Sequence, residues 1–168
     1  MCVLGKKVDE NNSNGMTAEK LQPPPSKPLF FYLVPLLRTR DALDEIIRVI
    51  PDGKYERLRE LLDLVEGPPN NVQQNLKSAA ASLDSPALIE KADGIARDVY
   101  EYLKGIDYQT YYDSVGTSRG SRGGQELKEM FDFSSKSAAA AQSKLEEFLK
   151  LMPQEELAAA KSQVSISF

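Results

Sequence analysis

Apolar side chains recur at helical spacing through most of the chain, beginning near residue 36. The first stripe leaves charged residues on the other faces, which is typical of an amphipathic helix with one face in a core. Its apolar members are Leu36, Leu43, Ile46, Ile47 and Ile50. Pro-Asp-Gly at residues 51–53 interrupts this pattern, which resumes from Tyr55 to Glu66. The pattern predicts two separate helices or one long kinked helix, ended by Gly-Pro-Pro at residues 67–69.

A third and a fourth helix follow, each after residues that are suited to begin one. Asn70 or Asn71 is the predicted N-cap of a helix over residues 72–83. Ser-Pro at residues 85–86 predicts an N-cap followed by the first helical residue. The apolar stripe of this fourth helix runs over residues 88–106 and continues towards Tyr112.

Small residues predict where helices approach one another closely. Gly94 costs about 1 kcal/mol relative to alanine inside a helix, which favours a close contact at that point. Residues 134–143, at the centre of a long helix over residues 125–152, are almost all serine or alanine and also permit close approach. The predicted inward residues of this helix are Leu127, Met130, Phe131, Ser134, Ala138, Ala141, Leu145, Phe148, Leu149 and Met152. Pro153 ends the helix, and residues 154–164 predict a short C-terminal one.

These segments predict an all-α protein, because no alternation with a period of two residues is long enough for a sheet. Each apolar stripe needs another helix to cover it, so the most economical arrangement is an up-and-down four-helix bundle with a short C-terminal helix. We assign this bundle domain to residues 36–168. Residues 1–21 have few large apolar side chains and are predicted to be a disordered tail.

Residues 22–35 contain five prolines and are interpreted as a proline-rich strap. Such a density of proline is expected to exclude a helix and to favour extended polyproline geometry. Within the strap, residues 29–34 are apolar or aromatic without an amphipathic period. Two interpretations are open: these residues pack on their own domain as a lid over one end of the bundle, or they dock on a partner.

Composition narrows the possible functions. With 21 basic and 25 acidic residues the formal charge is −4, and the isoelectric point is near 5.0, which argues against binding nucleic acid through a broad cationic face. The chain has no histidine and one cysteine, Cys2, so histidine-based triads, most metal sites and intramolecular disulfides are excluded. We expect neither a cofactor nor enzymatic activity. The longest apolar run, residues 29–37, falls far short of the roughly 20 residues that span a bilayer.

A glycine-rich segment at residues 116–124 resembles a phosphate loop only superficially. It lacks the Gly-Lys-Ser/Thr ending and a preceding strand, so a flexible, mildly basic loop is the simpler interpretation. Its Arg119 and Arg122 remain candidates for contact with an acidic partner. The tyrosines at positions 100, 102, 108, 111 and 112 are interpreted mainly as packing at the rim of the bundle, and otherwise as partner contacts.

Two stretches carry a resemblance to a known family. They are VPLLRTRDALDEIIRVIPDGKYERLRELLD at residues 34–63 and ALIEKADGIARDVYEYLKGIDYQTYYDSVG at residues 87–116, followed by a long amphipathic helix. With the proline-rich segment before them, they resemble the PsbQ-like lumenal proteins of chloroplasts over about residues 22–152. The resemblance implies a four-helix bundle that attaches to a membrane complex from the thylakoid lumen, without catalytic activity or a cofactor. Three features depart from the family: the chain shows no bipartite transit sequence, its charge balance leans acidic, and it carries the glycine-arginine segment.

The resemblance leads to a specific functional hypothesis. The chain is expected to bind photosystem II core subunits at the lumenal membrane face, as an extrinsic subunit or as an assembly, repair or high-light maintenance factor. The candidate partner-binding residues are Phe30, Phe31, Tyr32, Arg38, Arg40, Arg119 and Arg122. Two alternatives remain open. The first is a subunit of the chloroplast NADH-dehydrogenase-like complex, some of whose subunits have the same bundle fold. The second is a soluble helical adaptor that recognises a partner helix.

Overall fold

The computed structural model describes residues 25–108 and 124–166, and every regular element within these ranges is a helix. The protein is therefore all-α over the described ranges, as the apolar spacing predicts. The six described helices are α1 (Leu29–Val49), α2 (Tyr55–Glu66), α3 (Val72–Ala81), α4 (Pro86–Ile106), α5 (Gly124–Lys150) and α6 (Gln154–Ile166). The predicted tail at residues 1–21 lies outside the described residues.

Helix α1 begins at Leu29, so the expectation of an extended strap is wrong for residues 29–35. Pro35 lies inside this helix, where a proline costs about 3 kcal/mol. Three leucines around it are almost completely buried; they are Leu33, Leu36 and Leu37. Each contributes about 1.5–3 kcal/mol on full burial, which together exceeds the cost of the proline. The apolar run is therefore helical because it belongs to the core.

Helix α1 is the central element of the fold. It packs against α2, α3, α5 and α6, while α4 packs against α3 and α5. Helices α1, α3, α4 and α5 thus form a closed series in which each contacts the next. The largest completely buried side chains come from helices α1 to α5 and from Ile50, the C-cap of α1: Phe148, Leu33, Leu36, Leu37, Leu43, Ile46, Ile50, Leu58, Leu61, Leu76, Leu103 and Ile106.

The helix boundaries follow local signals in the sequence. Gly53 takes a φ of 67° between α1 and α2, so the two segments are separate helices. The Oγ of Ser85 accepts a hydrogen bond of 3.3 Å from the backbone N–H of Leu88, which confirms the predicted N-cap of α4. Asn71 precedes α3 in a left-handed conformation, with φ 38°, and its side chain makes no capping hydrogen bond. Asn71 therefore suits the N-cap position because asparagine tolerates the left-handed conformation, and its side chain does not act as a cap.

The close helix contact lies at Gly105 rather than at Gly94. A Cβ built on Gly94 would meet no atom within 4 Å, so the expectation of close packing there is wrong. A Cβ on Gly105 would lie 2.7 Å from the Oγ of Ser137, within the small-residue centre of α5. The prediction that this centre permits close approach is therefore confirmed, with α4 as the neighbour.

Several residues assigned to apolar stripes are exposed. They are Tyr55, Leu88 and Leu127. Each stands at or near the first turn of its helix. Helix α4 ends at Ile106, and the predicted continuation towards Tyr112 lies outside the described residues.

Candidate partner-binding site at the start of α1

The first turn of α1 holds three consecutive aromatic residues in different environments. Phe30 and Tyr32 are partly buried and pack against the core. Phe31 is 48% exposed, although it lies in a helical turn between them. The helix therefore divides the predicted aromatic group into two residues that stabilise the fold and one that is presented to solvent. Phe31 is the member best placed to contact a partner, because an exposed aromatic side chain is a frequent anchor at interfaces.

The exposed ring of Phe31 is held in place by two neighbours. The Nζ of Lys27 lies 4.1 Å from the centre of the ring, which is a cation–π contact. The ring of Tyr32 meets Phe31 edge to face, with centroids 6.3 Å apart and an angle of 84°. The backbone N–H of Lys27 also donates a hydrogen bond of 3.1 Å to the hydroxyl of Tyr32. These contacts connect the residues before α1 to its first turn and leave an aromatic side chain beside a positive charge.

A distant carboxylate caps the amino end of α1. The residue at the N-cap position is Pro28, which has no side-chain acceptor. The backbone N–H of Phe30 instead donates a hydrogen bond of 2.9 Å to the Oε2 of Glu156, in the first turn of α6. A negative charge at this end of a helix is favourable, because the first N–H groups carry the positive end of the helix dipole. Glu156 thus fixes the turn that presents Phe31.

Pro35 changes the backbone at the same site. In an α-helix the carbonyl of Phe31 would accept a hydrogen bond from the N–H of residue 35, but proline has no N–H. The carbonyl of Phe31 consequently lacks its α-helical donor. The hydroxyl of Thr39 donates to the carbonyl of Pro35 at 2.9 Å, one turn further along. The exposed ring of Phe31 and this backbone acceptor belong to the same residue.

The two predicted arginines of α1 have different surroundings. Arg38 is half-buried and follows Phe31 by seven positions, so it lies on the same face of the helix, about 10 Å along the axis. Arg40 lies 3.5 Å from Asp41 and 3.9 Å from Glu146 of α5. Because these are exposed ion pairs, they stabilise the fold little and compete only weakly with an acidic partner. Arg119 and Arg122 lie outside the described residues.

A second aromatic group connects α2 and α5 with Tyr108, which lies just after α4. Tyr108 stacks on Tyr55 with ring centroids 5.2 Å apart and lies 5.6 Å from Phe131. Tyr108 is buried, and burial together with the nearby Tyr55 raises the pKa of its hydroxyl. The interpretation of the tyrosines as packing residues is confirmed for Tyr108, whereas Tyr102 is exposed. Tyr111 and Tyr112 lie outside the described residues.

A surface depression along α5 has a volume of about 540 Å³. Its lining residues all belong to this one helix: Ala139, Gln142, Ser143, Glu146, Glu147 and Lys150. Glu146 lies 3.9 Å from Arg40, and Glu147 lies 3.2 Å from Lys144, so both carboxylates take part in surface ion pairs. A depression of this kind suits contact with solvent or with another surface.

Sequence reasoning identified Phe31 but missed Lys27 and Glu156. The role of Lys27 appears only when α1 begins at Leu29, because the helical turn then brings the ring of Phe31 under the ammonium group. Glu156 is separated from Phe30 by 126 positions, and no local pattern signals such a contact. Acidic residues are common in the first turn of a helix, so the position of Glu156 in α6 does not by itself indicate a contact with α1.

Possible metal ligands, possible membrane spans and similarity to known proteins each bear on the site. No group of histidine, cysteine, aspartate and glutamate side chains within residues 25–108 and 124–166 is arranged to hold a metal ion. No helix in the described part of the chain is long and apolar enough to cross a membrane. Comparisons of the chain with protein-family models, with curated proteins and with solved structures give no match.

Proposed function

We propose that this chain is a non-catalytic protein that binds photosystem II at the lumenal face of the thylakoid membrane. It acts there as an extrinsic subunit or as an assembly, repair or high-light maintenance factor. The sequence basis of the proposal is the resemblance of residues 34–63 and 87–116 to PsbQ-like lumenal proteins. The observation that carries the binding role is the exposed Phe31 ring beside Lys27, on a turn that Glu156 fixes.

The arrangement of the helices supports the proposed architecture. We infer a four-helix bundle made of α1, α3, α4 and α5, with α2 and α6 added at its sides. The closed series of contacts among the four helices agrees with this assignment. The residues of the predicted strap that precede Leu29 would then lead the chain to the end of the bundle where α1 begins. In this arrangement the bundle is a rigid body that carries the binding residues of α1.

Attachment would combine an aromatic anchor with positive charges. Phe31 supplies apolar area that a partner can bury, which is the part of an interface that contributes most to affinity. Arg38, Arg40, Arg119 and Arg122 would meet acidic loops of the complex and would mainly increase the rate and specificity of association. Phe30 and Tyr32 would act by holding the turn, since they are partly buried. The protein would be peripheral to the membrane and attached through its protein partners.

Affinity purification from solubilised thylakoids tests the proposal. The full chain carries a tag at its C-terminus, the co-eluting subunits are identified, and the recovered complexes are separated by size. Recovery with photosystem II core subunits supports the proposal, and a small or incompletely assembled complex would indicate an assembly or repair factor. Recovery with the NADH-dehydrogenase-like complex would reassign the partner. Recovery with neither, together with exposure to protease outside the thylakoid, would favour a soluble helical adaptor.

A further inference from the structure

We propose that the outer face of α1 at its amino end docks an acidic protein segment that carries an apolar side chain. This Phe31 face consists of Lys27, Phe31, Pro35 and Arg38. The proposal rests on the proposed function in taking the partner to be a subunit of the bound complex. It goes further by stating the chemistry of the partner segment and the atoms of this chain that recognise it.

The charge of the Phe31 face determines the kind of partner. Lys27 and Arg38 are the cations of this face, whereas Arg40 pairs with Asp41 and Glu146 and the Glu156 carboxylate is bonded to the N–H of Phe30. No carboxylate of the described part of the chain forms an ion pair with Lys27. Its ammonium group rests on the ring of Phe31 instead, and a cation in this position retains its attraction for a carboxylate. An acidic segment complements this charge.

Spacing along the helix indicates how such a segment is recognised. Phe31 lies between Lys27 and Arg38 on one face, and it is flanked by the half-buried Val34 and Pro35. An apolar side chain of the partner can therefore pack on Phe31 while a neighbouring carboxylate meets Lys27. The carbonyl of Phe31, which lacks its α-helical donor, can accept a hydrogen bond from a backbone N–H of the same segment.

A second copy of this chain does not fit the Phe31 face. In a twofold dimer the same surface meets itself, so Lys27 would approach the equivalent lysine of the other copy. Like charges brought together at an interface are unfavourable, and the carboxylate beside this turn, Glu156, is already bonded to the N–H of Phe30. The partner is therefore a different chain that presents a negatively charged segment.

A peptide titration tests the recognition chemistry without any photosystem complex. The full isotope-labelled chain is titrated with a synthetic peptide in which aspartates and glutamates flank a single phenylalanine, and amide shifts are followed by NMR. The expected result is a set of shifts concentrated at residues 27–38. A matched peptide with asparagine and glutamine in place of the acids should produce much smaller shifts. Equal shifts with both peptides, or shifts concentrated elsewhere, would overturn the proposal.

Charge-reversal variants provide the matched controls. Lys27→Glu should weaken binding of the acidic peptide on the order of fivefold to tenfold, because it removes an attraction and adds a repulsion. Lys54→Glu makes the same change of charge at an exposed lysine before α2 and should alter binding by less than about twofold. Phe31→Ala should weaken binding, while the far-ultraviolet circular dichroism of the chain stays the same. Equal effects of the two lysine variants would show that only net charge matters and would contradict the proposal.

Cross-linking in solubilised thylakoids separates this proposal from the proposed function. A photoreactive phenylalanine analogue replaces Phe31 in one full-length chain and the exposed Leu64 of α2 in another. Cross-links from position 31 to an acidic segment support the proposal. If the wild-type chain recovers photosystem II while position 31 cross-links no more than position 64, the proposed function stands and the docking proposal fails. If the peptide binds as expected but photosystem II is not recovered, the docking chemistry stands and the partner complex must be reassigned.

Discussion

Gly105 of α4 and Ser137 of α5 meet so closely that no larger residue fits at position 105 without movement. A Cβ built on Gly105 would lie 2.7 Å from the Oγ and 3.2 Å from the Cβ of Ser137. The serine hydroxyl can rotate away, but its Cβ cannot. Contact between α4 and α5 at this end of the fold therefore depends on the absence of a side chain at residue 105.

The two glycines of α4 should respond in opposite directions to substitution by alanine. Gly105→Ala should lower the free energy of unfolding by on the order of 1–2 kcal/mol, because overpacking forces the helices apart. Gly94→Ala should raise it by up to about 1 kcal/mol, because alanine is the better helix former and the added methyl group meets no atom within 4 Å. Urea denaturation of both variants measures the difference. Equal stabilities would show that the contact at Gly105 is not close in solution.

A buried hydroxyl completes the carboxyl end of α4. The Oγ of Ser134 donates a hydrogen bond of 2.6 Å to the carbonyl of Ile106, and Ser134 is almost fully buried. Ser134→Ala should lower the free energy of unfolding by about 1–3 kcal/mol, because the carbonyl loses its donor in a place that water does not reach. Ser143→Ala, at an exposed position of the same helix, is the matched control and should have little effect. Thermal unfolding of both variants distinguishes the two sites.

Alanine substitutions of Phe30 and Phe31 in the first turn of α1 should have different effects, the first on stability and the second on binding. Phe30→Ala should destabilise the fold by on the order of 1–3 kcal/mol, because its partly buried ring packs on the core. Phe31→Ala should change stability by less than about 0.5 kcal/mol, because the ring is exposed, yet it should weaken recovery of the partner complex. Chemical denaturation and affinity purification of the same variants provide both measurements. A large loss of stability in Phe31→Ala would identify its ring as a structural residue.

The contact between α6 and α1 should depend on an acceptor at position 156. Glu156→Ala should lower stability by about 1 kcal/mol and accelerate amide hydrogen exchange at Phe30, because the N–H loses its capping partner. Glu156→Gln keeps an oxygen acceptor and should preserve much of the protection. Glu155→Ala removes a neighbouring exposed carboxylate and is the control. Unchanged exchange at Phe30 in Glu156→Ala would contradict the assignment of Glu156 as the cap.

Glu66 makes the folded state sensitive to pH. Partial desolvation, followed by the negative charges of Asp63 and Asp107, raises the pKa of its carboxyl group above the ordinary value. The folded state therefore binds this proton more readily than the unfolded state, and ionised Glu66 is destabilising at neutral pH. This penalty disappears as the pH falls through the raised pKa.

Replacement of Glu66 by glutamine tests that account. Glu66→Gln should increase stability only modestly at pH 7, since the side chain is only partly desolvated and solvent screens much of its charge. The gain should shrink towards about pH 4, where protonation neutralises the native carboxyl group. Glu90→Gln, at an exposed position of α4, is the control in urea titrations at both pH values. A gain that grows on acidification would have the wrong sign.

The positions of most helices could be predicted from the sequence, because their signals are local. The period of the apolar residues marks the faces that are buried in α2, α3 and α4. Ser85 with Pro86 begins a helix, and Gly67 with two prolines ends one. These effects depend on residues within one or two turns of each other, so the chain carries them before it folds.

The candidate site could be predicted only in part. The sequence identified Phe31 as an aromatic residue outside the expected helical pattern, yet it implied the wrong backbone for residues 29–35. Local preference disfavours a helix through Pro35, and the burial of Leu33 and its neighbours overrides that preference once the core is assembled. The contacts of Phe30 with Glu156 and of Gly105 with Ser137 join residues that are distant along the chain. Only the tertiary structure decides them, because they depend on how whole helices are placed against one another rather than on any local sequence.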